Sequence, residues 1–126
     1  MKKLFLMATM LLMFGAVNAQ IAEVKQEGGY ARIYNEEGRW TGNSIQLGYG
    51  DVVSGYNSKY IVVTEGLLTG RYARIYNEKG RWTGNSISLS STSYVIRVSE
   101  TAILIKEFGK TRYYNFVGRY TGHSTD

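Results

Sequence analysis

Across 126 residues the chain has no cysteine, no proline and one histidine. Without cysteine there is no disulfide framework, thiolate metal site, cysteine nucleophile or lipidated amino-terminal cysteine. A single histidine excludes multi-histidine metal centres, and no phosphate loop, metal-ligand spacing or dinucleotide fingerprint occurs. Acidic groups are also sparse, ten Asp and Glu against fifteen Lys and Arg, and no pair stands apart as a general acid and base. His123-Ser124-Thr125-Asp126 carries the residue types of a catalytic triad, but contiguous residues at a chain end cannot hold nucleophile, base and orienter in place. These absences predict a protein that is not an enzyme and takes neither metal nor cofactor. The length allows one domain.

Lys2 and Lys3 precede an apolar run from Leu4 to Val17, followed by small or modest side chains at Val17-Asn18-Ala19. This pattern predicts a signal peptide over residues 1–19, cleaved between Ala19 and Gln20, because the run is short of the ~20 apolar residues of a spanning helix. The expected mature chain, residues 20–126, is secreted or periplasmic and is not an integral membrane protein. Loss of Lys2 and Lys3 lowers the net charge from +5 to +3. The remaining Arg and Lys alternate with Glu instead of forming a basic stripe, which argues against nucleic acid as a partner.

Glycine and tyrosine are abundant, at 15 and 11 residues, and they belong to a repeat. Tyr30-Ala31-Arg32-Ile33-Tyr34-Asn35-Glu36-Glu37-Gly38-Arg39-Trp40-Thr41-Gly42-Asn43-Ser44-Ile45-Gln46-Leu47 recurs at Tyr72–Leu89 with changes only at Glu37/Lys79 and Gln46/Ser88. A diverged third copy keeps Arg112, Tyr114, Asn115, Gly118, Arg119, Thr121, Gly122 and Ser124, with Tyr120 in place of Trp82. A β-rich segment precedes each copy, so units of roughly 40 residues lie near 21–59, 60–101 and 102–126, a period typical of supersecondary units that share a core.

Within a unit, Ala31 and Ile33 alternate with Tyr30, Arg32 and Tyr34, the period of a half-buried strand. Asn35–Gly38 and Asn77–Gly80 read as hairpin turns, and Gly42-Asn43 and Gly84-Asn85 as bulges inside the returning strands. Eleven strands are expected, three in a first group, four in a second and four in the last. The fold class is all-β, a small set of tandem antiparallel hairpin repeats. A β-trefoil-like closed barrel is the favoured expectation because closure removes exposed edges. A meander or small sandwich, or propeller blades completed by oligomerisation, are the alternatives. A membrane barrel is disfavoured, since its strands need ~9–11 residues.

Candidate binding residues are Arg32, Tyr34 and Trp40, with their counterparts Arg74, Tyr76 and Trp82 and Arg112, Tyr114 and Tyr120. Aromatic faces stack on sugar rings, and a neighbouring guanidinium offers a fork of donors. The same residues also make cross-strand pairs and cation–π stacks that stabilise a sheet. Arg-Ile-Tyr followed by Gly-Arg-Trp-Thr-Gly resembles the blade motif of small fucose-binding propeller lectins, over about ten residues per copy and without the hairpin those lectins insert between the Arg strand and the Trp. The resemblance implies Arg32 and Arg74 as sugar-contacting donors, Trp40 and Trp82 as stacking platforms, Glu36 and Glu78 as acceptors, and a ring built from several short chains. The sequence therefore predicts a secreted binding module for a glycan or a protein partner. A structural, self-assembling homo-oligomer and a small β-scaffold inhibitor are the other readings.

Overall fold

The structure, a computed structural model, describes residues 20–66 and 70–126. The expected signal peptide lies outside the described residues. Eleven strands are present: β1 (Glu23–Glu27), β2 (Tyr30–Tyr34), β3 (Trp40–Gln46), β4 (Val52–Tyr56), β5 (Tyr60–Glu65), β6 (Arg71–Asn77), β7 (Trp82–Leu89), β8 (Tyr94–Val98), β9 (Ile103–Glu107), β10 (Lys110–Tyr114) and β11 (Tyr120–Thr125). Among the described residues there is no helix, and none that is long and apolar enough to cross a membrane.

The strands form three antiparallel meanders: β1-β2-β3, β4-β5-β6-β7 and β8-β9-β10-β11. The favoured trefoil-like closure is not found, because among the described residues no strand pairing joins one sheet to the next. The sheets instead lie face to face. Ala31, Ile33 and Ile45 of the first sheet pack on Ile61 and Val63 of the second. Val62, Ala73, Ile75 and Ile87 on the other face of the second sheet pack on Ile103 and Ile105 of the third. Burial on both faces explains why β5 carries a continuous apolar run, Ile61-Val62-Val63, where a half-buried strand would alternate.

Local chemistry sets each unit. Asn35 accepts the amides of Glu37 and Arg39 through its side chain, at 2.9 and 3.1 Å, which closes the β2–β3 turn; Asn77 and Asn115 repeat the arrangement. The predicted bulge occurs at Gly42-Asn43: Arg32 pairs with Ser44 and Tyr34 with Trp40, leaving Thr41–Asn43 opposite Ile33. Thr41 fills the gap by donating to the Ile33 carbonyl at 2.9 Å and accepting the Asn43 amide at 3.2 Å. Each later turn then seats on the bulged strand of the sheet before it. A Cβ placed on Gly80 would come within 2.6 Å of the Ser44 carbonyl oxygen, and one on Gly118 within 2.7 Å of that of Ser86, so both approaches require glycine.

The two ends of the stack differ from its interior. Glu23 and Lys25 occupy in β1 the register positions that Ile61 and Val63 hold in β5. Thr111, Tyr113 and Thr125 stand in the third sheet where Ala73, Ile75 and Ile87 stand in the second. Polar terminal faces of this kind end a stack of repeats.

Candidate functional site

Every sheet carries the same four-residue group, drawn from three strands. In the first, Glu27 at the end of β1 accepts the Tyr34 hydroxyl at 3.0 Å and lies 3.7 Å from Arg32 Nε. The Arg32 guanidinium sits 4.5 Å from the centre of the Trp40 ring, whose indole N–H donates to the Asn43 carbonyl at 2.9 Å. In the second sheet, Glu65 accepts Tyr76, lies 3.3 Å from Arg74 Nε, and Arg74 stacks on Trp82 at 4.6 Å. In the third, Glu107 accepts Tyr114 at 2.7 Å, and Arg112 lies over Tyr120 at 5.0 Å. The structure thus brings together all nine residues expected from the sequence, three by three, around a glutamate that the sequence reasoning did not single out. Its signal is that the β-rich segment before each copy ends in Glu.

The surroundings of these groups change along the stack. Tyr30, Arg32 and Tyr34 face outward, as the alternation predicts, only in the first sheet. In the second and third, the same positions face the preceding sheet, and the glutamate side chain falls from 43% exposed at Glu27 to 19% at Glu65 and 10% at Glu107. Burial, together with donation to Glu107, pushes the Tyr114 hydroxyl up to about 12; burial and Glu65 raise Tyr76 in the same way. Arg112 Nε is buried without a hydrogen-bond partner, 3.8 Å from Glu107.

Each arginine is therefore held by a carboxylate and an aromatic ring of its own sheet, an arrangement that braces the strands. What remains open is the aromatic rim. Trp40, Trp82 and Tyr120 are 46%, 46% and 41% exposed at equivalent places on β3, β7 and β11. Arg39, Arg81 and Arg119, one residue before each ring, are exposed and have no carboxylate within 4.0 Å among the described residues. Glu36 and Glu78 sit in the turns and make no side-chain hydrogen bond or ion pair among the described residues. His123 packs against Tyr113, with ring centres 4.5 Å apart. The described residues contain no group of His, Asp and Glu able to hold a metal ion.

No protein-family model matches the chain, and neither a curated protein nor a solved structure matches it.

Proposed function

We propose that the protein is a non-catalytic binding module, acting outside the cytoplasm, that holds an extended glycan along the edge formed by β3, β7 and β11. The observation that carries this reading is the row Trp40, Trp82 and Tyr120, one half-exposed ring per sheet, each preceded by an arginine with no carboxylate partner among the described residues. Stacked sheets lie ~10 Å apart, so the row suits a chain of repeating sugar units contacted at intervals. The arginine over each ring and, for the tryptophans, the indole bond to Asn43 or Asn85 hold the platforms still before a ligand arrives, which limits the ordering cost of binding. Weak contacts at three places add through effective concentration.

Self-assembly by continued stacking is the less favoured reading, because Glu23 and Lys25 at one end and Thr111, Tyr113 and Thr125 at the other replace the apolar residues that join the sheets internally.

A glycan array probed at low and high ionic strength tests the proposal. Binding is expected to strengthen with glycan length, to survive salt as stacking does, and to disappear in the Trp40→Ala/Trp82→Ala variant. Absence of binding, or binding indifferent to both tryptophans, overturns it.

A further inference from the structure

The three units differ most at the β5–β6 connection. Glu27 pairs with Tyr30 and Glu107 with Lys110 across two-residue turns, whereas Glu65 pairs with Tyr72 across Gly66–Arg71. The middle connection is therefore four residues longer, and Arg71, paired with Leu89 at the start of β6, stands where the first unit has Gly29 and the third Gly109. Beside it, between the second and third sheets, a cavity of about 560 Å³ is lined by Tyr49, Val52, Ser54, Thr64, Arg71 and Tyr94 among others. Its volume lies in the range of small-molecule sites. At the equivalent place between the first two sheets, Gln26 stands in the position of Thr64, and its side chain accepts the Val53 amide at 3.1 Å.

The lining combines three kinds of contact. Tyr49 and Tyr94 are large aromatics left 92% and 53% exposed. Ser54 and Thr64 form a hydroxyl pair at 2.5 Å. Arg71 donates to the carbonyls of Ser90, Ser91 and Ser93 at 3.3, 3.4 and 3.1 Å, which fixes the guanidinium and leaves two of its five N–H groups without a partner among the described residues. No carboxylate lies within 4.0 Å of Arg71 among the described residues; Asp51 accepts the Gly48 amide, and Glu65 is engaged by Arg74 and Tyr76. A held cation without a counter-charge, beside open aromatic faces and hydroxyls, matches a ring that is apolar on one face, hydroxylated at its edge and carries a carboxylate.

We propose that this cavity is a second binding site, for an acidic pyranose of the uronate class, with the sugar carboxylate on Arg71 and the ring against Tyr94 and Tyr49. The site lies at the β4 and β8 edge, away from the Trp40–Trp82–Tyr120 row, so either can fail without the other.

Calorimetric titration of the protein with D-glucuronate, D-glucose and acetate tests it. Glucuronate is expected to bind at least about tenfold more tightly than glucose or acetate. Arg71→Gln should abolish that preference, and Tyr49→Ala and Tyr94→Ala should weaken glucuronate several-fold. Because Arg71 also ties down the β7–β8 loop, Tyr49→Ala serves as the variant whose highly exposed ring leaves the fold intact. The proposal is overturned if glucuronate gives no binding at about 10 mM, a concentration sufficient for millimolar affinity. It is equally overturned if binding survives both Arg71→Gln and Tyr49→Ala, or if acetate binds as well as glucuronate.

Discussion

The first sheet and the two behind it are built from nearly the same residues and live in different media. Glu27 and Tyr34 make their hydrogen bond at the solvent face, while Glu107 and Tyr114 make the same contact against a neighbouring sheet. An exposed ion pair is worth little because water solvates both partners, whereas a buried carboxylate that loses its donors is left at a cost of a few kcal/mol. Identical units in a stack thus carry unequal weight, set by what covers them.

Glycine substitutions should break this comparison most strongly. Gly38 and Gly80 share a φ of 78°, but only Gly80 approaches the preceding sheet. Gly38→Ala is expected to cost about 1 kcal/mol for the left-handed backbone, and Gly80→Ala about 3 kcal/mol because the Ser44 carbonyl must also move. Urea midpoints of the two variants measure the difference.

Removing a tyrosine hydroxyl should have a smaller effect of the same sense. Tyr114→Phe leaves buried Glu107 without its 2.7 Å donor and is expected to cost roughly 1–2 kcal/mol, while Tyr34→Phe at the solvent face should cost under about 0.5 kcal/mol.

Alkaline titration sharpens the same point. An unfolded tyrosine loses its proton near pH 10, but Tyr114 keeps its own to about 12 in the folded protein. Between those values the unfolded chain binds fewer protons than the native one. Its stabilisation is therefore complete below about pH 10 and declines towards pH 12. Tyr114→Phe should make the fall in urea midpoint over that window shallower.

Much of the fold was legible in the sequence. The eleven strands, the turns at Asn35–Gly38 and Asn77–Gly80 and the bulges at Gly42 and Gly84 follow from alternation and turn chemistry, which are local. The arrangement of the sheets was not, because their packing depends on which faces are doubly buried. The clue is the contrast between Glu23-Val24-Lys25 and Ile61-Val62-Val63, and it becomes readable only once the register makes those residues equivalent. The same ambiguity hid the site. Arg32, Arg74 and Arg112 looked like free donors, yet Glu27, Glu65 and Glu107 reach them from a neighbouring strand. The Tyr49–Arg71–Tyr94 cavity escaped notice because its residues lie in segments that differ between the copies.

The most direct test of positional weight is the urea midpoint of three single variants, Glu27→Ala, Glu65→Ala and Glu107→Ala, which remove the same carboxylate from successive sheets. The expected destabilisation rises along the stack, from under about 1 kcal/mol at Glu27 to about 2–3 kcal/mol at Glu107, with Glu65 between them. Equal losses at all three positions, or a largest loss at Glu27, would contradict a stack whose first sheet faces water and whose later sheets cover one another.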